Sequence, residues 1–108
     1  MWVGDVFADD LAEYWQAYLA NPNVLDIRRT LVDLRQSTIH FSGEDLARLI
    51  TEIVNPTLQG RDWITAIIVE GESQYGVSRQ YQVFAERYSR DAIFREYDQA
   101  LQWLLRQP

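Results

Sequence analysis

The chain has 108 residues, 47% hydrophobic, 13% aromatic and 24% charged, a composition that excludes intrinsic disorder and sits inside the globular range. Its formal net charge is −6 and all 10 basic residues are arginine, so Schiff-base chemistry and the phosphate-gripping lysine of nucleotide loops are both excluded. An acidic chain with scattered arginines lacks the dense positive face that nucleic acid demands, and the absence of cysteine removes disulfides, thiolate catalysis and cysteine-ligated metals.

In chain order, "MWVG" can hold only a strand remnant. Phe7, Leu11, Trp15 and Tyr18 then recur at helical spacing behind "GDVFADD", predicting a helix from about residue 7 to 20 that "NPN" ends. "TLVDL" (30–34) reads as a short buried strand. Leu46, Leu49, Ile50 and Ile53 form the inner stripe of a second helix, expected to stop before Pro56. "WITAIIV" (63–69) is nearly all apolar and rich in β-branched residues, as a central strand covered on both faces must be. Val77, Tyr81, Phe84 and Tyr88 trace the next helix, "AIF" (92–94) a further strand, and Tyr97, Leu101 and Leu104 a terminal helix. Such alternation needs crossovers, nearly always right-handed, and predicts a largely parallel sheet packed against helices. Residues 1–108 make a single domain, and no run approaches the ~18 apolar residues that span a bilayer. Without a secretory pattern at the N-terminus, the expectation is a cytoplasmic protein with no membrane insertion.

Two connections attract attention. Ser42 precedes the second helix with Asp45 three positions on, the spacing of a capping box, in which hydroxyl and carboxylate each satisfy a backbone N–H. The functional alternative makes Ser42 or Ser37 a regulatory phosphoacceptor; Glu44 and Asp45 in the same turn would make a phosphate there disruptive. "GESQYGVS" (71–78) has the spacing of a phosphate loop, but Val77 stands in the lysine position and Glu70 and Glu72 repel phosphate. Its structural reading is a turn at Gly71 and a helix capped by Ser73.

His40 is the only histidine, too few nitrogen ligands for a zinc site. Ser42, His40 and Asp33 spell a triad, but no Gly-x-Ser-x-Gly nucleophile elbow accompanies them. No catalytic residue, metal or cofactor is assigned. Aromatic residues exceed what a core this small absorbs, and the surplus suits a small apolar pocket or the anchors of an interface. Arg35, His40, Tyr75, Arg79, Tyr81 and Trp103 are the candidate interaction residues.

"LVDLR" followed by a helix, the strand "WITAIIV", the helix "QYGVSRQYQVFAE" and the ending "IFREYDQALQWL", spanning Gly4 to Leu105, together resemble the bacterial SpoIIAA-like (STAS-like) group, within the superfamily that includes SEC14-type carriers. The resemblance implies an α/β fold: a mixed, mostly parallel sheet of about four strands flanked by about four helices, with the N-terminal strand pair truncated. In the anti-sigma-factor antagonists of that family a serine after the strand is phosphorylated, and ungapped alignment from Asp33 and Leu34 puts it on Ser42. Phe41 and Gly43 depart from the motif around it. The implied role is a non-catalytic binding or regulatory module acting through protein–protein interaction; the sheet edge left unpaired by the short N-terminal start, with the surplus aromatics, makes a homodimer the expected assembly. The alternative is a small-molecule or lipid-binding module with an apolar pocket between helices and sheet.

Overall fold

A computed structural model describes residues 2–58, 62–86 and 89–108. Strand β1 (Val3–Val6) leads into helix α1 (Ala8–Leu19), whose start is fixed by the Asp10 carboxylate accepting from the Phe7 N–H at 3.0 Å. Asn21 ends the expected "NPN" break but also opens a short helix α2 (Pro22–Ile27) that the apolar periodicity did not announce. Its side chain accepts from the Asn23 N–H at 3.0 Å, and proline sits in the first turn, where its missing N–H costs nothing. Strand β2 (Arg29–Asp33) and strand β3 (Gln36–Ile39) follow; β3 lies in what the sequence presents as a connection.

Helix α3 (Gly43–Leu49) does not stop before Pro56 as expected. It widens into a π-helical turn over Ile50–Val54, with the Asn55 N–H bonding to the Ile50 carbonyl, and continues as α4 (Asn55–Leu58). Within an α-helix the Pro56 ring would meet the carbonyl one turn back; the wider turn moves that carbonyl aside. Strand β4 (Trp63–Ile68), helix α5 (Glu72–Phe84), strand β5 (Ser89–Phe94) and helix α6 (Tyr97–Arg106) complete the chain. Helix α5 ends at Phe84, and Tyr88 lies outside the described residues. Strand β5 begins before the expected Ala92 because its first inward residues, Ser89 and Asp91, are polar.

Every strand pairing among the described residues is parallel: β1 with β3, and β2 with β4 with β5. The expected antiparallel component is therefore absent from these ladders. The peptide between Asp33 and Leu34 joins the two sets, because its carbonyl accepts from the Trp2 N–H and its N–H donates to the Ile68 carbonyl, both at 2.9 Å. A peptide's C=O and N–H point to opposite edges of a strand. Hence β1 and β4 flank one bent strand, β2–β3, and the strands lie side by side in chain order. Edge strand β1 carries Gly4 at φ +82°, a left-handed conformation that favours glycine.

Consecutive parallel strands joined by crossovers of one hand place their connecting helices on one face. Thr30, Trp63, Thr65 and Ile67 face α1, α3 and α5. The terminal helix α6 connects no strands and is free to cover the other face, where Ala100 and Leu104 pack on Ile64, Ala66 and Ile68. All of β4 is buried, as its composition predicts. Among the described residues no helix is long and apolar enough to cross a membrane.

Candidate functional site

Between the sheet and α1, α3 and α5 lies an apolar cavity of ≈ 100 Å³. Trp15 and Tyr18 from α1, Leu46 from α3, Trp63 and Ile67 from β4, and Tyr81 from α5 are among the residues of its wall. The α1 stripe turns inward because Leu11 and Leu19 bury their side chains against Leu46, Leu49 and Ile50, and Trp15 and Tyr18 share that face. An apolar cavity of about 150 Å³ admits benzene. The present volume is smaller, so it limits the occupant to no more than a single small ring or a short chain, well below a lipid tail.

Polar groups punctuate this wall in two ways. Thr30 Oγ1 is satisfied: Trp63 Nε1 donates to it at 3.2 Å and the Tyr18 hydroxyl lies 2.9 Å away. Thr65 is different. It is only 3% exposed and lines the cavity, yet its Oγ1 has no hydrogen-bond partner. Asp91 stands opposite it in the β4–β5 register, takes the Ser89 hydroxyl on Oδ1, and leaves Oδ2 buried and unpartnered. Burial raises the Asp91 carboxyl to about 6, against the opposing pull of Ser89 and then of Thr65. The Thr65 hydroxyl is thus near enough to act through its dipole without reaching bonding geometry. Burial likewise raises Tyr81, helped by the charge of Asp91, and pushes Tyr14 up to about 12 with a contribution from stacked Tyr18.

The residues singled out in the sequence do not converge on one site. Ser42 forms the full capping box, its Oγ accepting from the Asp45 N–H and its N–H donating to Asp45 Oδ2, each at 3.1 Å; removing such a cap costs about 1 kcal/mol. Ser37 is buried and donates to the Leu34 carbonyl at 2.7 Å. Arg35 is folded back on Asp33 through Nε at 3.0 Å and Nη2 at 2.8 Å, and these bonds hold the Asp33 carboxyl below its ordinary range. His40 meets Asp5 at 2.9 Å and stacks on Phe7 with centroids 4.6 Å apart. The spelled triad is therefore dispersed, since Ser42, His40 and Asp33 each engage a different partner.

Tyr75 is exposed on α5 beneath the Arg95 guanidinium, 6.0 Å from its ring centroid, and Arg79 donates to Gln82 at 2.6 Å on the same helix. Trp103 packs on Phe94 at 5.7 Å on the far face of the sheet. Of the interaction candidates only Tyr81 reaches the cavity. Among the described residues no group of three or more His, Cys, Asp or Glu side chains could hold a metal.

Sequence reasoning missed Thr65, Asp91 and Gln74. Gln74, and not Ser73, organises the α5 start. Its Oε1 accepts from the Glu70 N–H at 2.8 Å while Nε2 donates to the Ser37 carbonyl at 2.8 Å, tying the β4–α5 turn to β3. The signal was a glutamine three residues after the Gly71 N-cap, the acceptor position of a capping box.

Fold and site together define a parallel α/β domain with a small apolar cavity backed by buried polar groups. No family model matches the chain, and neither the curated proteins nor the solved structures compared with it contain a match.

Proposed function

We propose that this domain is a non-catalytic, STAS-like binding module that holds a small, largely apolar molecule between its sheet and α1, α3 and α5. The aromatic cavity carries this reading: it joins side chains from β4, α1 and α5 around one space. Titration with benzene, followed through the ring proton resonances of Trp15, Tyr18 and Trp63, should give saturable one-to-one shifts and a rising thermal midpoint. A response that never saturates, or one centred on Trp103 across the sheet, overturns it.

A second reading, self-association, is favoured by the open edge of β1. That strand hydrogen-bonds on one side only among the described residues, and beside it Val3 and Phe7 remain 68% and 52% exposed. Unprotected edges of this kind pair with other strands, and a lysine placed on them prevents it. Sedimentation equilibrium should give a homodimer that Val3→Lys converts to monomer. A compact monomer at high protein concentration contradicts it.

A further inference from the structure

We infer that two copies of this chain join edge to edge through β1, antiparallel and about a two-fold axis that passes Gly4. This rests on the self-association reading above and adds the register and the bonds that form it.

The backbone of β1 divides into two sets. The Trp2 N–H donates to the Asp33 carbonyl at 2.9 Å and the Val6 carbonyl accepts from the His40 N–H at 2.8 Å, while the parallel register with β3 runs unbroken from Val3 to Val6. Trp2, Gly4 and Val6 therefore direct their backbone groups at the neighbouring strand. Alternation turns those of Val3 and Asp5 the other way, and among the described residues no hydrogen bond reaches them. Beyond them the row is closed, because the Phe7 N–H already donates to Asp10. The open edge is thus one donor and one acceptor on Val3, and the same on Asp5.

The far edge of the sheet is different. The Phe94 carbonyl accepts from the Val69 N–H, which turns Asp91 and Ile93 outward on β5, and there Gln82 Nε2 takes the Asp91 carbonyl at 2.7 Å. A helix side chain blunts that edge.

The row on β1 is its own complement. Rotated by half a turn about Gly4, Val3 faces Asp5 of the second copy, and each of the two pairs exchanges two N–H···O=C bonds, as alternate pairs in an antiparallel ladder do. Gly4 then faces Gly4 of the second copy at a non-bonded position, where Cα atoms approach to about 4.5 Å. A Cβ built on Gly4 meets nothing within 4 Å, so the protomer leaves room at the axis. Charge selects the same centre. An axis on Asp5 would set its carboxylate directly against that of the second copy, whereas an axis on Gly4 opposes each Asp5 with the uncharged Val3. Val3 is 68% exposed, so the pairing also covers apolar surface.

Amide exchange on the unaltered protein reads this register directly. As concentration rises into the range where sedimentation shows dimer, exchange at Val3 and Asp5 should slow in step with the dimer fraction, while Gly4 and Val6, bonded to β3 already, change little. In a mixture of isotope-labelled and unlabelled chains, the α-protons of Trp2 and of Val6 in the second copy should show a nuclear Overhauser contact, because the register makes them the next non-bonded pair. Val3→Pro removes an outward N–H that the strand's own ladder does not use, so the monomer should keep its thermal midpoint. It deletes two of the four bonds and should raise the dimer dissociation constant about thirtyfold; Val3→Ala, which keeps the N–H, should raise it less. If proline disturbs the strand, the exchange and Overhauser measurements still decide. A dimer in which Val3 and Asp5 exchange as fast as in the monomer, in which the contact joins other residues, or which tolerates a well-folded Val3→Pro as it does Val3→Ala, overturns the register and leaves self-association standing. Chains that stay monomeric at every concentration overturn both.

Discussion

Trp63→Ala is expected to remove about 3–5 kcal/mol of stability, the usual cost of deleting a large buried aromatic ring. Trp63 is 3% exposed, begins the central strand, and packs in one cluster with Leu11, Leu46, Ile50 and Val54 from α1, α3 and the π turn. Its indole also donates to Thr30 Oγ1, so truncation loses ring contacts and a bond to the neighbouring strand together. Domains of this size are held by about 5–15 kcal/mol in all, so the variant should lie near the edge of folding. With a urea slope of about 1–3 kcal/mol per molar, the midpoint measured by far-ultraviolet circular dichroism should fall by roughly 2 M. Trp63→Phe keeps most of the ring and loses the N–H. Thr30 retains Tyr18, so that variant should lose about 1–2 kcal/mol. Equal losses in the two variants would mean that the ring is not what the cluster packs around.

The same residue illustrates what was legible in the sequence. Strand β4 could be read directly, because burial on both faces requires a continuous apolar run and "WITAIIV" supplies one. Strand β3 could not. Its inward residues are Ser37 and Ile39, and the more deeply buried one is a serine whose hydroxyl donates to the Leu34 carbonyl and whose own carbonyl accepts from Gln74, so an apolar alternation does not mark the strand. Helix α3 was legible until Pro56, where the rule that proline ends a helix assumes α geometry and the chain adopts a π turn.

The cavity was legible as a surplus of aromatic rings, but not its position. Tyr75, Tyr81 and Trp103 look alike in a sequence, yet the helix faces and the sheet send them to solvent, to the cavity and to the opposite layer. Its polar floor was hidden for a sharper reason. Thr65 reads as one more β-branched strand former, and Asp91 as a surface acid before "AIF"; only the parallel register of β4 and β5 sets them opposite one another inside the protein. Chemistry that depends on two residues meeting across a ladder leaves no trace in local pattern.

Asp91→Asn should stabilise the protein at neutral pH and lose that advantage in acid. The folded state holds the Asp91 carboxyl at about 6 against an ordinary 3.8, with burial as the main cause. A carboxyl raised by folding takes up a proton more readily in the native state than in the unfolded chain. Its contribution to stability is therefore fully present below about pH 4 and is lost as pH climbs through 6. Above that, the native protein carries a buried charge whose Oδ2 has no partner, a penalty of about 3 kcal/mol for a displacement of this size. An asparagine preserves the shape, keeps an acceptor for the Ser89 hydroxyl, and turns an N–H toward the unpartnered Thr65 Oγ1. Among the described residues no cation compensates: Ser89, Thr65 and Tyr81 are neutral, and Gln82 donates to the Asp91 backbone carbonyl. Urea midpoints from pH 4 to 8 should show the variant ahead by about 2–3 kcal/mol at the upper end and level with the unaltered protein at the lower. Asp33, held low by Arg35, loses its own stabilising effect in acid, but it does so in both proteins and cancels from the difference. A gap that does not change with pH would mean that Asp91 stays charged throughout and that its burial does not govern its ionisation.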